Sequence, residues 1–336
     1  MATNVLIAGL HGSMGTLVAN AVHSQSDMAL IDHGLTGSNT FCWKGKGAIV
    51  DHLHKLTDEG IESILLNLKA RYNPIIVDYT CPDAVNSNAE LYCKLGIPFV
   101  MGTTGGDREK LKQIVLDSGN TAVIAPNMGK QIVALMGEIN DFSRQHESGL
   151  SGCKLYIRES HQGPDLERDF DGKDDTSGTA DAIRKDFNSM GIPYEKADIN
   201  KIRLREDQLA LGIPEEYLDG HGWHTYWAYN KRGSDVLQKF GDFLLAFLEQ
   251  NPVFEGYTLE RSTREGYSTI RRESSDGTVL FSVESSLKGK SVKTTHNVNG
   301  REIYVIGTLD AIGFLRRKLD SGETGKVYSM VDVLRG

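Results

Sequence analysis

Several features that define whole classes of protein are scarce or missing in this sequence of 336 residues. It has four cysteines and no Cys-x-x-Cys pair, which excludes a disulfide scaffold. No apolar run approaches the ~20 residues of a membrane span, so we expect no membrane partner. Lysine and arginine number 37 against 45 acidic residues, a net charge of −8 without a basic block, so we expect no nucleic-acid partner. The chain begins almost directly with an apolar strand, which predicts a cytoplasmic protein, or a plastid one if a transit segment was removed.

The first part of the chain alternates short apolar runs with helical patterns. Strands are predicted at 5–8, 28–31, 74–77, 98–101 and 122–125, and helices at 14–23, 57–71, 84–95 and 107–118. Such alternation is typical of an α/β fold with a Rossmann-type, doubly wound parallel sheet. We expect residues 1–128 to form a dinucleotide-binding domain, with the tail 309–336 returning to it.

The pattern changes after Met128, and residues 129–308 predict an α+β domain with a mixed sheet for substrate binding and oligomerisation. The sequence predicts helices at 131–146 and 309–317, β-type stretches at 154–159, 278–284, 291–296 and 301–307, and a last strand or short helix at 327–334. Residues 225–277 resemble an insertion. Within it, Ser234 can cap a helix that runs to Gln250, and its apolar face must pack on its own domain or on a partner subunit.

A glycine-rich turn follows the first predicted strand. Gly9, Gly12 and Gly15 open the first helix, with Ser13 and Met14 in the same turn. Glycines allow a tight turn and close approach of the backbone to a pyrophosphate, which the helix amino terminus then attracts. In this strand–turn–helix context the motif predicts a dinucleotide site.

Asp32 follows the second predicted strand, where an acidic residue would bind a ribose diol and disfavour a 2′-phosphate. It could equally be an exposed residue at a strand end. Lys44 and Lys46 lie downstream and could counter its charge. The residues alone leave NADH and NADPH open.

Two further predicted strands end in polar residues. Tyr79 and Thr80 follow one, and Gly102, Thr103 and Thr104 follow the next. Ligands of open α/β sheets bind at the carboxyl ends of strands. We therefore expect both loops to contact the cofactor, although a threonine-capped turn would have the same sequence.

One segment of the second half carries proton-transfer and anion-binding groups. His161 titrates near neutral pH, and Lys173 is a cationic donor. Ser177, Gly178 and Thr179 stand where a helix is predicted to begin, so their N–H groups can bind a carboxylate. Together with a nucleotide site, these groups predict reduction of a small anionic substrate.

The motifs together resemble those of the dihydrodipicolinate reductases, in the plant-type branch that has His-Gln where most bacterial enzymes have His-His. In order, the matching motifs are the glycine turn, Val-Asp-Tyr-Thr80, Met-Gly-Thr-Thr-Gly-Gly-Asp-Arg108, Ala-Pro-Asn-Met-Gly-Lys-Gln131, Glu-Ser-His161-Gln, Lys173 with Ser-Gly-Thr179, Pro-Glu-Glu216, Gly-His221 and His-Asn-Val-Asn-Gly-Arg301. The resemblance covers about residues 3–222 and 278–335.

The resemblance implies NADPH, with NADH possible, and reduction of the cyclic imine dicarboxylate of the diaminopimelate route to lysine. It implies His161 and Lys173 as catalytic groups, with Gln162 at the second-histidine position of the substrate site. It further implies cofactor contacts by Pro126, Asn127, Met128 and Arg301. We expect a homo-oligomer, either a dimer or a tetramer.

Two departures from the family pattern keep alternatives open. Residues 163–172 lengthen the segment before Lys173 and add four acidic residues, which could redirect the enzyme to another cyclic imine. The insertion at 225–277 is the second departure. A catalytically silent dinucleotide-binding protein of the same fold is the remaining alternative. The histidine pairs at 52/54 and 221/224 lack completing ligands at suitable spacing, so we expect no metal.

Overall fold

The structure, a computed structural model, describes residues 2–37, 42–163 and 175–336. The chain divides into two compact units: Met1–Val133 with Glu302–Gly336, and Ala134–Arg301. Within the described ranges, no helix combines the length and the apolar character needed to cross a membrane.

Strands and helices alternate through the first part of the chain, and longer strands follow one another in the second. The strands are β1 (Thr3–Ala8), β2 (Met28–Thr36), β3 (Trp43–Lys44), β4 (Ile49–Val50), β5 (His52–Lys55), β6 (Ile75–Asp78), β7 (Phe99–Met101), β8 (Ala122–Ile124), β9 (Lys154–His161), β10 (Asn200–Ile202), β11 (His221–Tyr229), β12 (Thr258–Arg264), β13 (Tyr267–Glu273), β14 (Val279–Ser286), β15 (Ser291–Asn299) and β16 (Val327–Tyr328). The helices are α1 (Ser13–His23), α2 (Ile61–Tyr72), α3 (Val85–Lys94), α4 (Arg108–Ser118), α5 (Lys130–Gln145), α6 (Gly178–Ser189), α7 (Arg205–Ala210), α8 (Asp235–Gln250), α9 (Glu302–Asp320) and α10 (Met330–Arg335).

The first unit contains a parallel sheet with the strand order β16-β8-β7-β6-β1-β2-β5. Successive residues of a strand point to opposite faces, and from Val5 to Ala8 both sets of β1 are apolar. Val5 and Ile7 pack with α1 and α9 on one face, whereas Leu6 and Ala8 pack with α2, α3 and α4 on the other. Burial on both faces is what a parallel sheet requires, and the predicted α/β fold is confirmed.

The second unit contains a mixed sheet with the strand order β10-β9-β11-β15-β14-β13-β12. Strand β10 runs parallel to β9, and the other neighbouring pairs are antiparallel. Helix α8 packs against β13, β14 and β15. The predicted α+β class of this half is likewise confirmed.

Helix α8 begins where the sequence places it, because Ser234 Oγ accepts a hydrogen bond from the N–H of Leu237. Its apolar face is buried within its own unit, where the Phe240 ring lies 5.0 Å from Phe142 and 5.7 Å from Phe187. Of the two packing partners that the sequence left open, the apolar face of α8 therefore packs on its own unit.

The sequence interpretation was wrong at residues 301–307, where a strand was predicted. Gly300 turns the chain at φ +86° after β15, and α9 begins at Glu302. The β-branched residues Ile303 and Val305 favour a strand locally. Packing against α1 and the close approach of Gly307 to Met128 override that preference: a Cβ on Gly307 would lie 1.8 Å from the Met128 carbonyl oxygen.

The region 225–277 also contains more strand than expected. It holds most of β11, which lies inside the sheet between β9 and β15, together with all of β12 and β13. The predicted alternatives for 327–334 both occur, as the short strand β16 followed by α10, which Ser329 caps.

Candidate active site

The glycine turn after β1 has the geometry of a phosphate-binding turn. Gly9 has φ +95°, and a Cβ there would lie 2.3 Å from the Tyr79 carbonyl oxygen. A Cβ on Gly15 would lie 2.4 Å from the Gly9 carbonyl oxygen, so both glycines are required by packing. Gly12 caps α1 and is exposed, as is Ser13, while Met14 is half-buried. The Gly12 N–H donates to the Gly9 carbonyl at 3.0 Å, so the turn is closed by its own backbone while Gly12 and Ser13 stay exposed at the start of α1.

Asp78, at the carboxyl end of β6, joins the two loops that follow β6 and β7. Its carboxylate is fully buried and accepts hydrogen bonds from the Thr80 N–H and O–H, at 3.0 and 2.7 Å, and from the Thr103 O–H at 2.7 Å. Asn88 Nδ2 and the Tyr92 O–H donate to its other oxygen, at 3.0 and 2.9 Å. One buried carboxylate thus fixes a threonine in each of the two loops.

The remaining predicted cofactor residues of these loops lie close by. Gly102 allows the Tyr79 ring to approach, since a Cβ there would lie 2.5 Å from Cε1 of that ring. The Tyr79 hydroxyl lies 2.6 Å from Thr308 Oγ1, and burial raises the pKa of Tyr79. Thr104 is exposed.

The loop after β8 holds three more predicted contacts. Pro126 is exposed and Met128 is buried. Asn127 Oδ1 accepts a hydrogen bond of 2.8 Å from the Gly129 N–H. This loop follows the same carboxyl edge of the sheet as the loops after β6 and β7.

The sequence predicted that Asp32 ends the second strand, and this prediction was wrong. Strand β2 continues to Thr36. Its pairing with β1 is irregular around Asp32: Val5 pairs with Leu30 and Ile7 pairs with Gly34, so β2 has four residues where β1 has two. The Asp32 carboxylate accepts a 3.1 Å hydrogen bond from the Tyr72 hydroxyl at the end of α2. The residue at the carboxyl end of β2 is therefore Thr36. The apolar run at 28–31 predicted too short a strand, and Asp32 was placed at its end for that reason.

In the second unit, His161 ends β9, and Ser177 caps α6. Ser177 Oγ accepts from the Ala180 N–H at 3.3 Å, and its own N–H donates to Glu159 Oε2 at 2.9 Å. A Cβ on Gly178 would meet no described atom within 4 Å. The positive end of α6 thus lies beside Gly178, exposed to a ligand, with Thr179 in its first turn.

A buried polar network lies beneath His161. Glu159 is fully buried, and its Oε1 accepts a 2.5 Å hydrogen bond from Arg203. Nε2 of His224 lies 3.2 Å from Nε2 of His161, 3.0 Å from Ser177 Oγ and 3.9 Å from Glu159 Oε2. The network connects the end of β9 to the amino terminus of α6.

The strand register explains why these side chains meet. Glu159 on β9 faces His224 on β11, which in turn faces His296 on β15. The rings of His224 and His296 stack with centroids 4.5 Å apart, and Phe281 continues the row at 5.6 Å from His296. Complete burial lowers the pKa of His296 to about 3, so this imidazole is neutral at physiological pH.

Gln162 and Arg301 are brought together at another point of the second unit. Both donate to Asp219, Gln162 Nε2 to the carboxylate at 3.4 Å and Arg301 to the backbone carbonyl at 3.2 Å. Gln162 therefore contacts Asp219. The imidazole next to His161 belongs to His224 on β11. Lys173 and most of the lengthened segment 163–172 lie outside the described residues.

Sequence reasoning missed Asp78, Glu159 and Arg203 as site residues, and considered His224 only as a metal ligand. Glu159 and His161 are two residues apart on a strand, so a shared face was readable from the chain. Their meeting with His224 depends on the register of β9 against β11, for which the sequence carries no local signal.

The atoms of Glu159, His161 and His224 lie within 4.8 Å of one another, a spacing that a metal ion could bridge. The carboxylate of Glu159 is already paired with Arg203 and accepts a backbone N–H. A second cation beside Arg203 would be repelled. We therefore treat the three groups as a hydrogen-bonded network.

The first unit defines the class of this protein. A glycine turn at the head of a parallel sheet, followed by a helix amino terminus, is the arrangement that binds dinucleotides. Gly12 and Ser13 are exposed at the start of α1, where a helix amino terminus attracts a pyrophosphate, and the two threonine loops lie at the carboxyl edge where such ligands bind. The chain is a dinucleotide-binding protein of the Rossmann class, and the nicotinamide type of the cofactor follows from its family.

Comparisons with known proteins identify that family. Residues 3–128 match the family described as dihydrodipicolinate reductase, N-terminus. The chain is 36% identical over 335 residues to the probable 4-hydroxy-tetrahydrodipicolinate reductase 1, chloroplastic, of Oryza sativa subsp. japonica, covering 98% of this chain and 78% of the relative. It is 33% identical over 335 residues to 4-hydroxy-tetrahydrodipicolinate reductase 1, chloroplastic, of Arabidopsis thaliana, covering 99% and 78%.

A solved structure is similar in fold. The dipicolinate-bound dihydrodipicolinate reductase from Paenisporosarcina sp. TG-14 covers 98% of each chain with a TM-score of 0.51 and 15% identity. The chain therefore belongs to the dihydrodipicolinate reductase family, in its plant-type branch. The predicted family is confirmed.

Proposed function

We propose that this protein reduces the cyclic imine dicarboxylate 4-hydroxy-tetrahydrodipicolinate (dihydrodipicolinate) to tetrahydrodipicolinate, in the diaminopimelate route to lysine. The observation that carries the proposal is kinship over nearly the whole chain with plant enzymes named for this reaction. The polar site at His161 and the start of α6 suits such a substrate, because it offers a proton-transfer group beside an anion-binding helix terminus.

The substrate-binding roles are assigned by chemistry. One carboxylate is bound at the amino terminus of α6 by the N–H groups of Gly178 and Thr179, where the helix dipole favours negative charge. Lys173 binds the other carboxylate or supplies a proton. His161 is the general acid near the reacting ring, and Gln162 borders the site. The bound nicotinamide supplies the hydride.

We propose NADPH as the preferred cofactor, with NADH accepted. The second strand ends at Thr36. Asp32 lies four residues before that end, and its carboxylate accepts a hydrogen bond from the Tyr72 hydroxyl. The strand therefore ends in a neutral, buried threonine whose hydroxyl donates to the Leu10 carbonyl, and no carboxylate stands at that end to repel a 2′-phosphate. Lys44 and Lys46 are exposed downstream and supply positive charge.

Turnover of a panel of cyclic imines tests the function. We expect oxidation of NADPH with the dicarboxylate imine, and little with imines that lack a carboxylate. Turnover of a different imine alone would favour the second candidate, a reductase redirected by the four acidic residues in 163–172. Cofactor binding without turnover of any imine would favour a silent dinucleotide-binding protein. His161→Asn separates true turnover from contamination, because it should abolish the activity.

We further propose that the protein is a homo-oligomer. Trp227 on β11 is 43% exposed, and its ring lies 5.1 Å from that of Tyr229 on the same strand. Tyr229 is half-buried, and an exposed tryptophan packed on such a neighbour is typical of subunit contacts. Light scattering should give a dimer or a tetramer, and a monomer at micromolar concentration would contradict the proposal.

The compartment is also a proposal: the cytoplasm, with the plastid as the alternative because the plant relatives are named chloroplastic. A fluorescent fusion to the full-length gene product distinguishes the two.

A further inference from the structure

We infer that Thr308 is a positioning residue for the nicotinamide half of the cofactor: it accepts the hydroxyl proton of Tyr79 and thereby holds the Tyr79 ring against the loop after β7. Thr308 lies on α9, 229 residues beyond Tyr79 in the chain, and it is completely buried. The inference rests on the proposed binding of NADPH, and it assigns a role to a residue that none of the sequence motifs contains.

The single hydroxyl proton of Thr308 fixes the direction of the hydrogen bonds around it. Thr308 Oγ1 donates to the backbone carbonyl of Tyr304, one helical turn earlier, at 2.7 Å. A carbonyl oxygen only accepts, so this bond uses the threonine proton. The Tyr79 hydroxyl lies 2.6 Å from Thr308 Oγ1 and is therefore the donor of the second bond. In this arrangement both protons have an acceptor.

Tyr79 is in close contact with two glycines at the carboxyl edge of the sheet. A Cβ on Gly102 would lie 2.5 Å from both Cε1 and Cζ of the Tyr79 ring and 2.8 Å from its hydroxyl oxygen. A Cβ on Gly9 would lie 2.3 Å from the Tyr79 carbonyl oxygen. The hydroxyl end of the ring thus lies against Gly102, and its place determines where the backbone of the loop after β7 stands.

The tyrosine ring needs the bond to Thr308 to stay in this place. Burial raises the pKa of Tyr79, so its phenol remains a neutral donor at physiological pH. Among the described residues, Thr308 is the one hydrogen-bond partner of that hydroxyl. A buried donor that loses its acceptor is costly. Without Thr308 Oγ1, the half-buried Tyr79 ring turns its hydroxyl towards water and leaves Gly102.

The order of the strands indicates which half of the cofactor the loop after β7 meets. Four neighbouring strands lie in the order β7-β6-β1-β2. In a Rossmann sheet the pyrophosphate binds at the glycine turn after β1, and the adenosine ribose binds at the end of β2. The nicotinamide half therefore extends in the other direction, over the ends of β6 and β7. Displacement of Tyr79 then weakens the contacts of this half and spares those of the adenosine half.

Four variants test the bond. Thr308→Val keeps the shape of the side chain and removes the acceptor, whereas Thr308→Ser keeps the acceptor. Tyr79→Phe removes the donor from the other side of the same bond. Thr121→Val is the matched control, because Thr121 is buried in the same unit, directly before β8, and its hydroxyl has no partner among the described residues.

The measurement is calorimetry of two ligands: NADPH, and adenosine 2′,5′-bisphosphate, which lacks the nicotinamide half. We expect Thr308→Val to raise the Kd for NADPH roughly tenfold, which corresponds to about 1.4 kcal/mol, the size of one neutral hydrogen bond. Its Kd for the bisphosphate should stay within about twofold of the wild type. Thr308→Ser and Thr121→Val should bind both ligands within about twofold of the wild type.

The double variant tests whether the two hydroxyls act through one bond. Tyr79→Phe alone should also raise the Kd for NADPH roughly tenfold. Adding Thr308→Val to it should then change the Kd by less than about twofold, because the bond is already lost. Tyr79→Phe leaves no buried donor without an acceptor, so this variant serves the comparison with Thr308→Ser even if Thr308→Val does not fold.

Three results would overturn the inference. The first is a wild-type Kd for NADPH in Thr308→Val or Tyr79→Phe. The second is an equal loss for NADPH and the bisphosphate, which indicates damage to the fold as a whole. The third is additive losses in the double variant, which mean that the two side chains act separately. Binding is measured without an imine, so absence of turnover would count against the proposed reaction and leave this test intact.

Discussion

The buried carboxylate of Asp78 makes the sharpest stability prediction, by the substitution Asp78→Asn. The carboxylate accepts five hydrogen bonds, three on Oδ1 and two on Oδ2. An asparagine amide can keep its oxygen at the Oδ1 position. Its NH₂ group then faces the NH₂ group of Asn88, a donor against a donor, and the Tyr92 hydroxyl must rotate to accept.

The magnitude follows from these bonds. Leaving one buried donor unsatisfied costs about 1–3 kcal/mol, and the remaining bonds lose the strength that a charged acceptor gives them. We therefore expect Asp78→Asn to lower the free energy of unfolding of the first unit by about 3 kcal/mol. Thr80 and Thr103 keep an oxygen acceptor, but it is neutral and holds the two loops less firmly, so the Kd for NADPH should also rise, by roughly tenfold.

Urea unfolding followed by circular dichroism measures the first effect, and calorimetry of NADPH binding measures the second. Asp117→Asn is the matched control, because Asp117 lies on the exposed side of α4 in the same unit and bonds only to Gln113 among the described residues. The control should change stability by less than about 0.5 kcal/mol. If Asp78→Asn is no more damaging than Asp117→Asn, the carboxylate does not organise the two loops.

Four further predictions test other parts of the site. Gly12→Val should leave a folded protein whose Kd for NADPH, by calorimetry, is raised roughly a hundredfold, because the side chain blocks the approach of the pyrophosphate; unchanged affinity would refute the cofactor site. Asp32→Ser should leave the NADPH/NADH ratio of kcat/KM within about twofold, since this carboxylate lies mid-strand, and a tenfold shift would restore its ribose role. The lowered pKa of His296 means that the unfolded state takes up a proton at higher pH than the folded state. The contribution to stability is therefore full above about pH 6.5, and the free energy of unfolding falls by about 1.4 kcal/mol per pH unit towards pH 3. His296→Phe should remove this slope in urea titrations, and an identical slope would contradict a buried, neutral His296. Lys173→Ala should lower kcat about 10²–10⁴-fold with unchanged NADPH affinity, and near-normal turnover would exclude it from catalysis.

Local pattern predicted much of the fold. Five strands of the parallel sheet (β1, β2, β6, β7 and β8) contain a short apolar run between helical patterns, as burial on both faces of a parallel sheet requires, whereas β5, with the sequence His-Leu-His-Lys, gave no such signal. Helix α8 could be placed to within a residue because its cap, its apolar face and the following proline agree. The prediction for residues 301–307 failed because the β-branched residues Ile303, Val305 and Ile306 favour a strand locally, whereas the packing of α9 overrides that preference.

The sequence by itself determined the dinucleotide class, the glycine turn and the strand-end loops, since these depend on residues adjacent in the chain. Only the tertiary structure decided which polar groups meet. Register pairs Glu159 with His224, and an irregularity in β2 removes Asp32 from the end of its strand. The physical reason is that pairing between distant strands depends on the burial of whole faces, so a shift of one or two residues, invisible in the local sequence, decides which side chains share a site.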